Sequence, residues 1–236
     1  MEHGPLLASG RDGDIFEFGP GLVLRRARDG RSIEHEARIM QYAADHGYPV
    51  PEVHDVRAKG SEIVMERIDG PLMMGPMTKR PWTIPRYASV LADLHDQLHE
   101  IPAPVWLQES LDGGDRLVHL DLHPLNVLLA ERGPVVIDWS NAARGRGLDD
   151  VALTYVLLTC PQMPGPRLLR LAAQPVREGL ARLFTRRYRS DELVERIAVA
   201  AEFKTMDRNM SPDEVANLRR LAHRMRRRSR PTGASS

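Results

Sequence analysis

The period of the apolar positions changes near residue 70. Before it, short apolar runs alternate with turn residues: "PLLASGRDGDIFEFGPGLVLRRA" is broken by "SGRDGD" and "GPG", the punctuation of a β-meander. One helix interrupts these strands. "SIEHEARIMQYAADHG" sets Ile33, Ala37, Met40 and Ala44 along one face, with Ser32 at the N-cap, acids in the first turn and Gly47 as the stop. "YPVPEVHDV" and "EIVMERI" read as two further strands.

"DGPLMMGPMTKRP" is linker-like, with Met73, Met74 and Met77 as flexible packing. Beyond it the spacing turns helical: "IPRYASVLADLHDQLHEI" repeats Leu91, Leu94, Leu98 and Ile101 at three- and four-residue steps. "NVLLA", "ERGP" and "VVID" together read as a hairpin. Helices follow across "DDVALTYVLL", "PRLLRLAAQPVREGLARLFTRRY", "DELVERIAVAAEF" and "SPDEVANLRRLAHRMRR", with Pro175 kinking or splitting the second. The expected class is α+β: a small antiparallel sheet with one helix over residues 1–68, a mostly helical lobe over 69–225, and a basic, disordered tail over 226–236.

Composition narrows this little. At 236 residues, 42% hydrophobic and 28% charged, the chain suits a globular protein with real cores. The single Cys160 excludes an internal disulfide, and "MEHGPLLASGRDGD" has neither the basic nor the apolar region of a signal peptide. The apolar runs are too short for a bilayer, so a cytoplasmic protein with no membrane partner is expected. A net charge of +1 hides an asymmetry: 24 of the 32 acids precede residue 151, and 17 of the 33 bases follow residue 150. "HRMRRRSRPTGASS" reads as a solvated helix end, and no aromatic residue interleaves with its arginines, so no nucleic-acid partner is expected.

The chemistry is concentrated in "HLDLHPLNVLLAERGPVVIDWS". The hairpin brings Asn126, at the start of one strand, near Asp138, at the end of the next, and Asp121 precedes Asn126 by five residues. Two carboxylates and a carboxamide at one end of a hairpin suit Mg²⁺ together with phosphate oxygens. A second reading is a metal hydrolase, because His119, Asp121 and His123 alternate and would share one face of a strand.

"HLDLHPLN" followed by "VVIDW" resembles the catalytic loop and metal-binding segment of the aminoglycoside phosphotransferase and choline kinase-like families, small-molecule relatives of the protein kinases. The resemblance implies a two-lobed protein-kinase-like fold, ATP and Mg²⁺ as cofactors, and phosphoryl transfer to a hydroxyl of a small molecule. It makes Asp121 the catalytic base, Asn126 and Asp138 the metal ligands, and His119 a structural loop residue; His123, with Pro124 against a strand there, reads as a loop residue that positions Asp121. "SGRDGD", with Gly10 and Gly13, resembles the phosphate-covering turn. "LVLRR" resembles the strand bearing the phosphate-binding lysine, "EHEA" the helix bearing its partner Glu36, and "VMERIDG" the hinge, where backbone groups around Glu66 to Ile68 bind adenine. In "GLDDVALT", Asp149 and Asp150 read as an N-cap and a first-turn acid; the resemblance adds that Asp150 braces the catalytic loop.

The lysine position holds Arg25, whose planar fork clamps phosphate as well, and Arg26 is the other candidate. This departure motivates an alternative, a nucleotide-binding pseudokinase. His95 and His99, four apart on a helix, read as packing or surface residues. The basic C-terminal half favours a neutral or anionic acceptor, although Glu178, Glu192, Glu195 and Glu202 remain candidates to line a pocket.

Overall fold

The computed structural model describes residues 3–10, 13–160, 167–207 and 210–229. In chain order its strands are β1 (Leu6–Ser9), β2 (Gly13–Glu17), β3 (Leu22–Ala27), β4 (Val53–Arg57), β5 (Glu62–Glu66), β6 (Arg116–Val118), β7 (Val127–Ala130), β8 (Gly133–Val136) and β9 (Ala143–Gly145). Its helices are α1 (Glu34–Asp45), α2 (Met74–Lys79), α3 (Ile84–Glu100), α4 (Gly147–Thr159), α5 (Arg167–Phe184), α6 (Asp191–Lys204) and α7 (Pro212–Ser229).

The chain divides into two compact units, Met1–Met73 with Leu125–Ala142, and Met74–Pro124 with Ala143–Ser236. The first therefore extends past the expected boundary at residue 68 and takes in the hairpin that the sequence reading assigned to the helical lobe. The physical reason is backbone pairing. Met73 N–H donates to Val127 O and Val136 N–H to Pro49 O, both at 2.8 Å, which stitches β7 and β8 to the first unit.

In that unit the five strands are antiparallel in the order β1-β2-β3-β5-β4. The alternation of β5 sorts its side chains to two cores. Ile63 packs with Ala27, Ile33 and Ala37 beneath α1, whereas Val64 packs with Leu24 and Phe18 on the opposite face. Helix α1 buries Glu36, Ala37, Ile39, Met40 and Ala43; of the expected face Ile33, Ala37 and Met40 are buried and only Ala44 is exposed. Ile33, not Ser32, is the N-cap; Ser32 Oγ accepts from Glu34 N–H at 3.4 Å. Gly47, at φ +76°, ends the helix.

The second unit is helical apart from the β6–β9 ribbon. Apolar residues occur all round α4, and Val151, Ala152, Leu153, Val156 and Leu158 are all buried, as befits a helix enclosed by others. Leu91, Leu94, Leu98 and Ile101 are buried as their spacing predicts. Of the two outcomes expected at Pro175, a kink or a split, the split does not occur: α5 runs through the proline, which removes one intrahelical hydrogen bond while the turns on either side persist. Residues 226–229, expected to be disordered, form the last turn of α7; the rest of that tail lies outside the described residues. No described helix is long and apolar enough to cross a membrane.

Candidate active site

Strand register decides which arginine of "LVLRR" faces the chemistry. Arg25 pairs with Ile63 across β3 and β5, so it shares the face beneath α1. There its Nη1 lies 2.9 Å from Glu36 Oε1, and its Nη2 donates to Asp138 Oδ1 at 3.5 Å. Arg26 points to the other face, over the Phe16 ring, with its Nε donating to Glu62 at 2.7 Å. Burial drives the Glu36 carboxyl up to about 7 and the Asp138 charge adds to this, while Arg25 and a backbone hydrogen bond from Trp139 pull it down.

Asn126 and Asp138 occupy the open end of the β7–β8 hairpin. Val127 is registered with Val136, and Ile137 N–H donates to Asn126 O at 3.0 Å, one residue before Asp138. Asp138 adopts a left-handed backbone, φ +64°, which turns its carboxylate out of the strand direction. Ser140 donates to that carboxylate at 3.0 Å. Trp139, fully buried, donates from Nε1 to Val136 O and meets Tyr48 edge-on, which locks this turn. A carboxamide and a half-buried carboxylate are hard-oxygen donors, the chemistry that a phosphate-bound Mg²⁺ accepts from protein.

Two expected nucleotide contacts are less free. Glu66 N–H donates to Glu52 O and Arg67 N–H to Gly21 O, and the Glu66 carboxylate pairs with Arg132 at 2.7 Å. The backbone N–H groups of Glu66 and Arg67 are thus committed to partners within the first unit. Gly10 N–H closes a turn on Gly13 O at 2.9 Å, and residues 11 and 12 of that loop lie outside the described residues. Gly13 has a structural reason as well, since a Cβ there would meet Arg26 O at 2.6 Å.

His119, Asp121 and His123, expected to form a catalytic loop, belong to the second unit. Strand β6 ends at Val118, and Leu120 takes φ +62°, a rare conformation for a bulky residue. The alternation that the hydrolase reading needs is therefore broken. His119 is fully buried and its Nδ1 accepts from Asp121 N–H at 3.3 Å, while His123 Nε2 lies 3.6 Å from Asp121 Oδ1. Among the described residues, no group of three or more His, Cys, Asp or Glu side chains is placed to hold a metal ion.

Asp150 organises this loop. Its Oδ2 accepts from His119 N–H at 2.9 Å and its Oδ1 from Leu120 N–H at 2.8 Å. Although burial opposes ionisation, the His99 hydrogen bond and the imidazoles of His95, His99 and His119 hold its carboxyl well below the usual range. His99 Nε2 lies 3.1 Å from Asp150 Oδ2, and its ring packs so closely on Gly147 that a Cβ there would meet it at 2.6 Å. Thr154 donates to Leu122 O at 2.8 Å, with His95 Nε2 at 3.0 Å from its oxygen. By sequence alone both histidines read as packing or surface residues. Their i, i+4 spacing was visible, but the partner helix, more than fifty residues on, was not.

The model of the phosphotransferase enzyme family matches residues 3–108 and 76–188. The chain belongs to this family. Among curated proteins, none matches the sequence. Solved structures share the fold of this phosphotransferase. A thermostable mutant of aminoglycoside phosphotransferase APH(4)-Ia, in ternary complex with ADP and hygromycin B, has TM-score 0.65 and 20% identity, covering 98% of this chain and 94% of that one. A choline/ethanolamine kinase family protein from Mesorhizobium loti has TM-score 0.58 and 16% identity, covering 94% and 88%. An amicoumacin kinase in complex with AMP-PNP, Ca²⁺ and Ami has TM-score 0.53 and 15% identity, covering 95% and 88%. The phosphotransferase thus has the protein-kinase-like fold.

Proposed function

We propose that this phosphotransferase moves the γ-phosphate of ATP to a hydroxyl of a small molecule. The observation that supports the reading is the Arg25–Glu36–Asp138 constellation, in which strand register directs a buried cation to the Asp138 carboxylate. Asn126 and Asp138 would hold Mg²⁺. Bound there, the ion would offset phosphate charge as it develops.

Arg25 contributes a fixed positive fork for phosphate oxygens, and Glu36 keeps it in place. The Asp121 carboxylate takes the acceptor's proton, the acceptor oxygen bonds to the γ-phosphorus, and the bond from that phosphorus to the β-phosphate oxygen breaks, releasing ADP. Most of the acceleration comes from positioning and electrostatics, since little covalent help is required. ADP release from Mg·ATP across a broad panel of hydroxylated small molecules tests this directly. Release with at least one acceptor supports it; none, together with no nucleotide binding by calorimetry, overturns it.

One observation favours a second reading, a nucleotide binder without turnover. Arg25 already contacts Asp138, and a guanidinium there competes with the metal for the same carboxylate. Tight Mg·ATP binding without ADP release from any acceptor would select it.

A further inference from the structure

Helix α6 spends its buried cation, Arg196, on two acids from different segments of the second unit. Arg196 Nε donates to Asp149 Oδ1, and Nη1 donates to Asp112 Oδ2 at 2.6 Å. Asp149 is almost fully buried in the first turn of α4, immediately before Asp150. Asp112 belongs to the 108–114 loop, which is tied to β9 by Ser110 N–H to Arg144 O and Arg144 N–H to Gln108 O, each 2.8 Å. One guanidinium therefore joins α6, this loop and the turn whose next residue holds the catalytic loop.

Stability alone is a poor reason for such a pair. Burial works against ionisation of Asp149 in spite of Arg196, and among the described residues Asp149 Oδ2 and Arg196 Nη2 are buried without a hydrogen-bond partner. A buried ion pair so incompletely satisfied recovers little of its desolvation cost. What a planar fork supplies is geometry, since it holds two carboxylates in fixed directions. The first turn of α4 needs that geometry. Asp150 must present both oxygens to two successive N–H groups, and a small rotation of α4 about its axis would lengthen both bonds.

We propose that Arg196 is a positioning residue for the catalytic loop, acting through Asp149 on the first turn of α4. Its effect on catalysis rests on the phosphotransferase reading; its effect on the loop does not. Removing Arg196 alone would strand a buried carboxylate and risk unfolding, so the informative variants are the double variant Arg196→Met/Asp149→Asn, which leaves no unpaired buried charge, and Arg196→Lys, which keeps charge without the fork.

The test is amide hydrogen exchange in the full chain, read residue by residue by NMR, together with ADP release using an acceptor found by the panel. In the double variant, exchange at the His119 and Leu120 amides should quicken about tenfold while the α3 core amides keep their protection. Turnover should fall about tenfold or more with nucleotide KM nearly unchanged, because Asp121 is misplaced while the nucleotide groups are not. Arg196→Lys should lie between the two, and it decides the matter if the double variant does not fold. Unchanged exchange at His119 and Leu120 overturns the proposal. So does a uniform loss of protection through α3 and α4, the mark of a general structural role. Should the unsubstituted chain release no ADP with any acceptor, the phosphotransferase reading fails, and the exchange measurement still decides the role of Arg196.

Discussion

Arg25 Nη1 lies 2.9 Å from Glu36 Oε1, with both side chains nearly excluded from solvent. The pair joins the middle of a strand to the first turn of a helix, so removing either member should be felt both in stability and at the nucleotide.

Arg25→Ala should weaken Mg·ATP binding about tenfold, or about 1.4 kcal/mol, the scale of one charged hydrogen bond. Arg25→Lys should restore part of this. Arg26 lies on the other face with Glu62, half exposed, so Arg26→Ala should cost no more than about 1 kcal/mol of stability and leave nucleotide affinity intact. Calorimetric titration of the three variants checks the assignment. Damage from Arg26→Ala alone would mean that the inward face is the other one.

The Glu36 carboxyl, pushed up to about 7 by burial, stands above its ordinary value of 4.5. A raised folded value favours the protonated form, so its stabilising contribution is complete below about 4.5 and is lost as pH rises through about 7. Glu36→Gln should remove this slope. Urea denaturation at a series of pH values should therefore show wild-type stability declining relative to Glu36→Gln across that window. Parallel curves would refute the shifted carboxyl.

The two aspartates should separate binding from turnover. Saturation with Mg·ATP at about 100 times Kd should stabilise the wild-type chain by about 2.7 kcal/mol, which raises Tm by several degrees. Asp121→Asn should keep this shift and lose most turnover, on the order of a hundredfold or more. Asp138→Ala should lose most of the metal-dependent shift. Equal shifts for wild type and Asp138→Ala would remove Asp138 from the metal site.

Of the acids that could meet a cationic acceptor, Glu202 borders a cavity together with Leu111, Phe203, Met206 and Arg219. Glu192, Glu195 and Glu202 are exposed, Glu202 pairs with Arg226, and Glu178 is bonded to Gln174 and Arg182. Polycations of the kanamycin type should therefore be phosphorylated poorly, and neutral or anionic hydroxylated compounds better. A kcat/KM above about 10⁴ M⁻¹s⁻¹ for a polycationic aminoglycoside would reverse this.

The α+β class, the five-strand run with α1, the β7–β8 hairpin, the helices α3 to α7 and the Asp121, Asn126, Asp138 spacing were legible in one sequence, because each rests on residues within a few turns of one another; α2, β6 and β9 were not. Hydrophobic period marks element type, and turn residues mark the ends. Element boundaries were less so. The unit boundary moved to Met73 because the hairpin 125–142 is claimed by hydrogen bonds to Pro49 and Met73, and neither has a local signature.

What the sequence by itself determined is which groups exist and in what order: Asp121, then Asn126, then Asp138, at spacings that resemble those of the phosphotransferase family, with Arg25 and Arg26 side by side far upstream. Only the tertiary structure decided that Arg25 rather than Arg26 faces Glu36, that His99 serves Asp150, and that Arg196 reaches Asp149 from 47 residues away. The reason is physical. Strand register assigns alternate side chains to opposite faces, and a one-residue slip reverses them without changing composition or period. Pairings across helices depend on packing between segments distant in the chain, where no local spacing records which partner is met. Burial, which raises Glu36 while the charges around Asp150 lower it, exists only once those segments have closed around each side chain.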